Sequence, residues 1–216
     1  MKLYGYWRSS AAYRVRIALN LKQLPAEQVS VHLVNNGGEQ HSDAFHQLNP
    51  QHLVPALVDS EDGAEFSLTQ SLAIIEYLDE KYPQPSVLPE QIKDKAIVRA
   101  MAQSIACEIH PLDNLRVLQY LVKEMGVDEN QKMAWYHHWI HLGFSALESQ
   151  LVQYSGRYCF GDNVTLADIC LIPQIYNAKR FNVALDKYPN ISRIWDNCHQ
   201  LSAFINAAPE QQADAS

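Results

Sequence analysis

The chain predicts an α/β layer followed by a separate all-α domain, and three observations carry that fold class. The first 83 residues read strand, helix, strand, short helix, strand, strand, helix. Pro83, Pro85 and Pro89 then fall within seven residues. Beyond them, apolar residues recur only at three- and four-residue intervals. A change of periodicity across a proline-rich stretch marks a boundary, because proline stiffens a connection and cannot continue a helix. The expected division is an α/β domain over 1–83, a linker over 84–89 and a helical domain over 90–208. A small, polar tail over 209–216 is expected to fray.

Lys2 to Tyr6 is an apolar, aromatic run that reads as the first strand. Ala11, Ala12, Val15, Ala18 and Leu19 follow at helical spacing, so the period changes across Ser9 and Ser10. Pro25 ends that helix region, and Val29 to Val34 alternates as a second strand, giving the start of a parallel crossover unit. Asn35-Asn36-Gly37-Gly38 is a loop, and residues 43–48 make a short helix before Asn49-Pro50. Residues 53–58 form a third strand, whose Pro55 cannot donate to a ladder and so needs a first position, an edge or a special turn. A turn over 59–63 leads to a last strand over 65–68. From Gln70, the residues Leu72, Ile74, Ile75, Leu78 and Tyr82 turn helical up to Pro83. In the second part helices are expected over 94–122, 129–154, 166–181 and 191–207. Pro111 should kink the first of them, and Thr165 with Asp168 forms a capping box before the third.

Composition excludes several classes of function. The formal charge of −7 with scattered Lys and Arg offers no basic stripe for nucleic acid. Cys107, Cys159, Cys170 and Cys198 show no framework spacing and read as reduced, buried thiols of a cytoplasmic protein. With no leader-like start and no apolar run near the roughly 18 residues a bilayer demands, neither export nor membrane insertion is expected. A glycine-rich phosphate loop and a Gly-x-Ser-x-Gly elbow are both lacking, so nucleotide binding and serine hydrolysis have no support. His137 and His141 lie four apart on one helical face, as metal ligands do. However, His138 stands where His-Glu-x-x-His needs Glu and no third ligand is evident, so no metal is expected.

The chemistry concentrates at Ser9 and Ser10. Two hydroxyls at a helix N-terminus stand among free backbone N–H groups at the positive end of the helix dipole. Such a place suits an anion, or a thiol that must become one. The run Arg8-Ser9-Ser10-x-x-Tyr13-Arg14-Val15-Arg16-Ile17-Ala18-Leu19 resembles the signature of the zeta-class glutathione transferases, and the likeness extends over about residues 1–208. Many members carry a cysteine where this chain has Ala11, so no role of that thiol can operate here.

The resemblance implies a thioredoxin-like domain ahead of a helical bundle, a homodimer, glutathione as cofactor and a small dicarboxylate as substrate. It assigns the activation of the thiol to Ser9, with Ser10 as the alternate. It places Val54, before a cis Pro55, against the cysteinyl part of glutathione. Gln70 and Ser71 fall to the γ-glutamyl carboxylate and Gln40 to the glycine end. The stretch His110-Pro111-Leu112-Asp113-Asn114-Leu115-Arg116 resembles a zeta-class active-site segment, which adds His110 and Asn114 to the cofactor contacts. Arg8, Arg116 and Arg180 would hold substrate carboxylates, for which the planar guanidinium fork is suited. The implied activity is glutathione-dependent cis–trans isomerisation of maleylacetoacetate to fumarylacetoacetate in aromatic amino acid breakdown. Maleylpyruvate isomerisation, general conjugation or dehalogenation, and non-catalytic ligand carriage are the alternatives.

Overall fold

The computed structural model describes residues 1–215, which divide into two units. Met1–Ser86 form one together with the chain from Leu201 onward, and Val87–Gln200 form the other.

In the first unit, strand β1 (Lys2–Gly5) leads into helix α1 (Ser10–Leu21), and β2 (Glu27–Ser30) returns parallel to β1, with Lys2 opposite Glu27. Helix α2 (Asp43–Leu48) precedes β3 (Ala56–Glu61) and β4 (Ala64–Thr69), an antiparallel pair, before helix α3 (Ser71–Lys81). The sheet order is β2-β1-β3-β4, with β1 antiparallel to β3. α1 supplies the crossover that a parallel pair requires. It buries Ala12, Val15, Ile17, Ala18 and Leu19 and packs on α3, which buries Ile74, Ile75 and Leu78. Each large aliphatic side chain so buried stabilises by about 1.5–3 kcal/mol. α2 is attached through Phe45, which clusters with Val31, Ala56 and Tyr4.

The largest differences from the expected strand boundaries fall in β2 and in β3, which also runs on to Glu61 through part of the expected turn. β2 stops at Ser30 rather than Val34, because side chains take over the backbone groups beyond it. Glu39 Oε2 accepts the His32 N–H, and His32 Nδ1 accepts from Val34 and Asn35. β3 begins at Ala56, after a cis Val54–Pro55 bond, so Leu53 and Val54 lie outside the strand.

The second unit holds α4 (Ile92–Gln103), α5 (Leu115–Lys123), α6 (Glu129–Tyr154), α7 (Leu166–Arg180) and α8 (Pro189–Cys198). The helix expected over 94–122 is therefore two helices. A π-helical stretch, Ser104–Ile109, follows α4, and the His110 N–H reaches back five residues to Ile105. Pro111 explains the break, since it has no N–H to give and its ring crowds the preceding turn. Gly143 on α6 leaves the space into which the Ile109 side chain fits. The box at α7 is formed: Asp168 Oδ2 accepts from the Thr165 N–H and hydroxyl at 2.8 and 2.9 Å, and Oδ1 accepts from Cys159 N–H. Cys159, Cys170 and Cys198 are buried as expected, whereas Cys107 is exposed.

The chain then returns to the first unit. The helix expected over 191–207 ends at Cys198, and α9 (Ser202–Ile205) belongs with the α/β layer. Of the tail expected to fray over 209–216, residues 209–215 are instead pinned, and Ser216 lies outside the described residues. Pro209–Gln211 forms a 3-10 turn, and Asp214 accepts from the Ser30 hydroxyl at 2.8 Å and the Trp7 N–H at 3.2 Å. Arg16 shows why: its buried guanidinium donates to Trp7 O at 2.9 Å and Ala207 O at 3.0 Å, so it depends on the returning segment.

Lys22 closes α1 with all three ammonium protons committed, to Asp79 Oδ1 at 2.7 Å, Tyr82 O at 2.7 Å and Pro85 O at 2.8 Å. Its side chain is fully buried. Lys22→Met should cost about 3–5 kcal/mol in urea unfolding by taking the cation from Asp79, which keeps the Ser86 hydroxyl, and the donor from the carbonyls of Tyr82 and Pro85; the double variant with Asp79→Leu should recover part of that loss.

Candidate active site

The serine turn is built by the strand-to-helix junction. Ser9 is the N-cap of α1, with an extended backbone, and its Oγ accepts the Ala12 N–H at 3.2 Å. Capping uses a lone pair and leaves the hydroxyl proton available to donate. Ser10 is the first helical residue and is buried, at 4% exposure. Arg8 lies beside them, its Nε and a terminal nitrogen bonded to the Tyr6 hydroxyl at 3.2 and 2.8 Å. The guanidinium carbon sits 4.5 Å from the centre of the Trp7 ring. Stacking of this kind holds a guanidinium in place without neutralising it.

At the start of α3, Gln70 adopts a left-handed backbone (φ +69°) and Ser71 opens the helix. The N–H groups of the first turn have no partner within the helix. Arg14, which spacing alone leaves as structural or solvated, is 2% exposed and donates to Ser71 Oγ at 3.3 Å. A buried positive charge thus stands under a helix N-terminus, a combination that favours a carboxylate. Gln40 occupies the 3-10 turn Glu39–His41 and is nearly buried, with Oε1 lacking a partner among the described residues. Gly38 makes this possible, since its φ is +101° and a β-carbon there would stand 2.5 Å from the Gln40 amide. Asn49 Nδ2 donates to Leu53 O at 2.7 Å, next to Val54, and Gln70 Nε2 donates to Gln51 Oε1 at 2.9 Å. Hydrogen-bond donors for carboxylates, a hydroxyl for a thiolate and an orphaned amide oxygen for an ammonium or amide N–H together fit a peptide such as glutathione.

In the second unit, Asn114 caps α5 by accepting the Arg116 N–H at 3.2 Å, and its amide lies 3.5 Å from His110 Nε2. Arg116 and Arg180 are exposed, the latter with its guanidinium carbon 4.8 Å from the Phe181 ring. His137 Nε2 donates to Phe181 O at 2.8 Å, while His141 Nδ1 is 2.8 Å from the Tyr188 hydroxyl, so the paired imidazoles serve different partners. The group that spacing misses is Asp113, 8% exposed, with neither carboxylate oxygen bonded to a described residue. Burial pushes its carboxyl up to about 8. Nothing in the sequence beyond an acid between Leu112 and Asn114 signals this.

Models of known families match the same two parts of the chain, the glutathione S-transferase N-terminal domain over residues 3–86 and its C-terminal domain over 140–201. A probable maleylacetoacetate isomerase of Vibrio cholerae is 53% identical over 99% of this chain and 97% of its own. The holo structure of a bacterial maleylpyruvate isomerase, described as a zeta-class glutathione S-transferase, superposes with a TM-score of 0.94 at 48% identity, with both chains fully covered. A maleylacetoacetate isomerase of Methylobacterium extorquens AM1, solved with malonate and glutathione bound, gives a TM-score of 0.93 at 38% identity, again over both whole chains. Fold, serine turn and relatives agree: the chain belongs to the glutathione S-transferases, and within them to the zeta class. It is an enzyme of that class.

Asp113 supplies a pH test. Its folded value of about 8 lies above the ordinary value near 4, so the folded chain holds a proton that the unfolded chain has lost. Its contribution to stability is full below about pH 4 and is lost as pH rises through about 8. Asp113→Asn should therefore raise the urea midpoint relative to the native chain at pH 8 and leave it nearly unchanged at pH 4.

Proposed function

We propose that the chain is a glutathione-dependent cis–trans isomerase of maleyl dicarboxylates, with maleylacetoacetate as its first substrate. The observation that carries this reading is the Ser9 hydroxyl, which caps α1 through a lone pair and keeps its proton to donate, next to the stacked Arg8. The names of the relatives supply the substrate class. When bound, glutathione supplies a thiolate nucleophile that adds reversibly to the cis alkene, so that the former double bond can rotate before elimination. Ser9, with Ser10 as alternate, donates to the sulfur and lowers the free energy of the charged form. A two-unit drop from about 8.5 requires roughly 2.7 kcal/mol, within reach of one charge-assisted hydrogen bond and the helix terminus together. Gln70, Ser71 and the N–H groups of α3 hold the γ-glutamyl carboxylate over the Arg14 charge, Val54 the cysteinyl backbone, and Gln40 the glycine end. His110 and Asn114 are the further cofactor contacts. Arg8, Arg116 and Arg180 bind substrate carboxylates and stabilise the charge that develops on the carbonyl oxygen after addition. A homodimer and a cytoplasmic location belong to the same proposal and rest on the family resemblance. Among the described residues, no helix is long and apolar enough to cross a membrane.

Maleylpyruvate is the second reading, favoured by the match to the maleylpyruvate isomerase structure. Isomerisation of both substrates followed side by side, with and without glutathione, decides between them, and activity on neither ends the isomerase assignment. Ser9→Ala should lower kcat/KM by about 10–100-fold, the worth of one hydrogen bond to a charged sulfur. It should also lower stability by about 1 kcal/mol through the lost cap. Ser10→Ala should change kcat/KM by less than about threefold. The reverse order would transfer the role to Ser10.

A further inference from the structure

We infer that His52 is a positioning residue for glutathione, setting the Gln40 turn through one donated hydrogen bond; this rests on the reading of Gln40 as a glutathione contact. The turn is not packed on all sides. A groove of about 820 Å³, lined by Gly38, Glu39 and His41 of the turn together with Tyr4, Val31 and Phe45, opens along one flank. Its place is therefore set by hydrogen bonds more than by side-chain packing.

His52 Nδ1 lies 2.8 Å from the Gln40 carbonyl oxygen. A carbonyl only accepts, so Nδ1 carries the proton, and in the neutral ring Nε2 is an acceptor. His46 Nδ1, 3.2 Å from that Nε2, is then the donor to it. The rings of His46 and His52 stack at 4.9 Å, and the His41 ring lies 5.2 Å from that of His52. His41 Nε2 is in turn 3.1 Å from the Gln40 amide nitrogen. The main chain and the side chain of Gln40 thus both end on imidazoles of one three-ring group.

The backbone beneath His52 joins this group to the other proposed contacts. His52 is in the left-handed region (φ +56°), and its N–H donates to Asn49 O at 3.0 Å. The same short turn carries Gln51, bonded to Gln70, and Asn49, bonded to the carbonyl of Leu53 beside Val54. One turn therefore links the segments assigned to the glycine end, the cysteinyl part and the γ-glutamyl end. His52 is its link to the first.

Two substitutions separate the hydrogen bond from the backbone. Asparagine tolerates a positive φ and places an N–H close to where Nδ1–H stands, whereas glycine tolerates the same φ with no donor. His52→Gly should raise the Kd for glutathione, read by calorimetry without substrate, by about 5–10-fold, the worth of one part-buried hydrogen bond. The KM for glutathione should rise in step while kcat at saturating glutathione stays level. His52→Asn should remain within about twofold of the native chain in all three. Nitrogen-15 spectra of the native protein should show His52 as the Nδ1–H tautomer. Native-like binding by His52→Gly, equal losses in both variants, or a fall in kcat with unchanged Kd would overturn the inference. Gln40→Ala serves as the reference: unchanged glutathione binding there removes the Gln40 reading itself. Weaker binding there with none for His52→Gly removes only the role of His52.

Discussion

Helix α1 carries its cations into the interior, and the α/β unit is assembled around the need to answer them. Arg14, Arg16 and Lys22 are all at least nine-tenths buried, and a buried cation without partners costs several kcal/mol. Arg14 reaches Ser71 at the head of α3. Arg16 takes carbonyls from Trp7 and Ala207, and burial still pulls its guanidinium down to about 10. Lys22 is met by Asp79 and by the carbonyls of Tyr82 and Pro85. The three cations thus fasten four segments to the same helix: Arg14 the start of α3, Arg16 both the serine turn and the returning end of the chain, and Lys22 the proline stretch.

That arrangement also decides the chemistry. An acidic chain of formal charge −7 becomes locally anion-seeking where α1 and α3 begin, because the two helix termini are reinforced by Arg8 and Arg14. Trp7, on which Arg8 stacks, is itself held through its N–H by Asp214. Asp214 is therefore tied to the turn that carries Arg8, Ser9 and Ser10. Net charge counts residues over the whole surface, whereas a thiolate or carboxylate responds to the few groups within several ångströms.

Much of this was legible in advance, but unevenly. The periodicity marks the helices, and Thr165 with Asp168 marks the start of α7, because both are short-range patterns. Pro111 announces a disturbance, but a kink and a break look alike in sequence; the π-helical stretch over Ser104–Ile109 emerges only with Ile109 fitted against Gly143. Gly38 reads as loop composition, while its reason is the Gln40 amide folded over it. His41, His46 and His52 look like scattered polar residues until a left-handed backbone at His52 brings their rings together.

By itself the sequence determined the order of strands and helices in the α/β unit, the serine-capped start of α1 and, through the Arg8–Leu19 run, the family. Such features are set by neighbours within a few residues, where spacing, capping and proline geometry act. Only the tertiary structure decided that the end of the chain rejoins the α/β unit, that Arg14 lies beneath α3, that Asp113 is buried and that one turn links Gln40 to Gln70. These depend on which polar groups find partners once water is excluded. Arg16 finds one of its own 191 residues away, a distance over which no local pattern carries information.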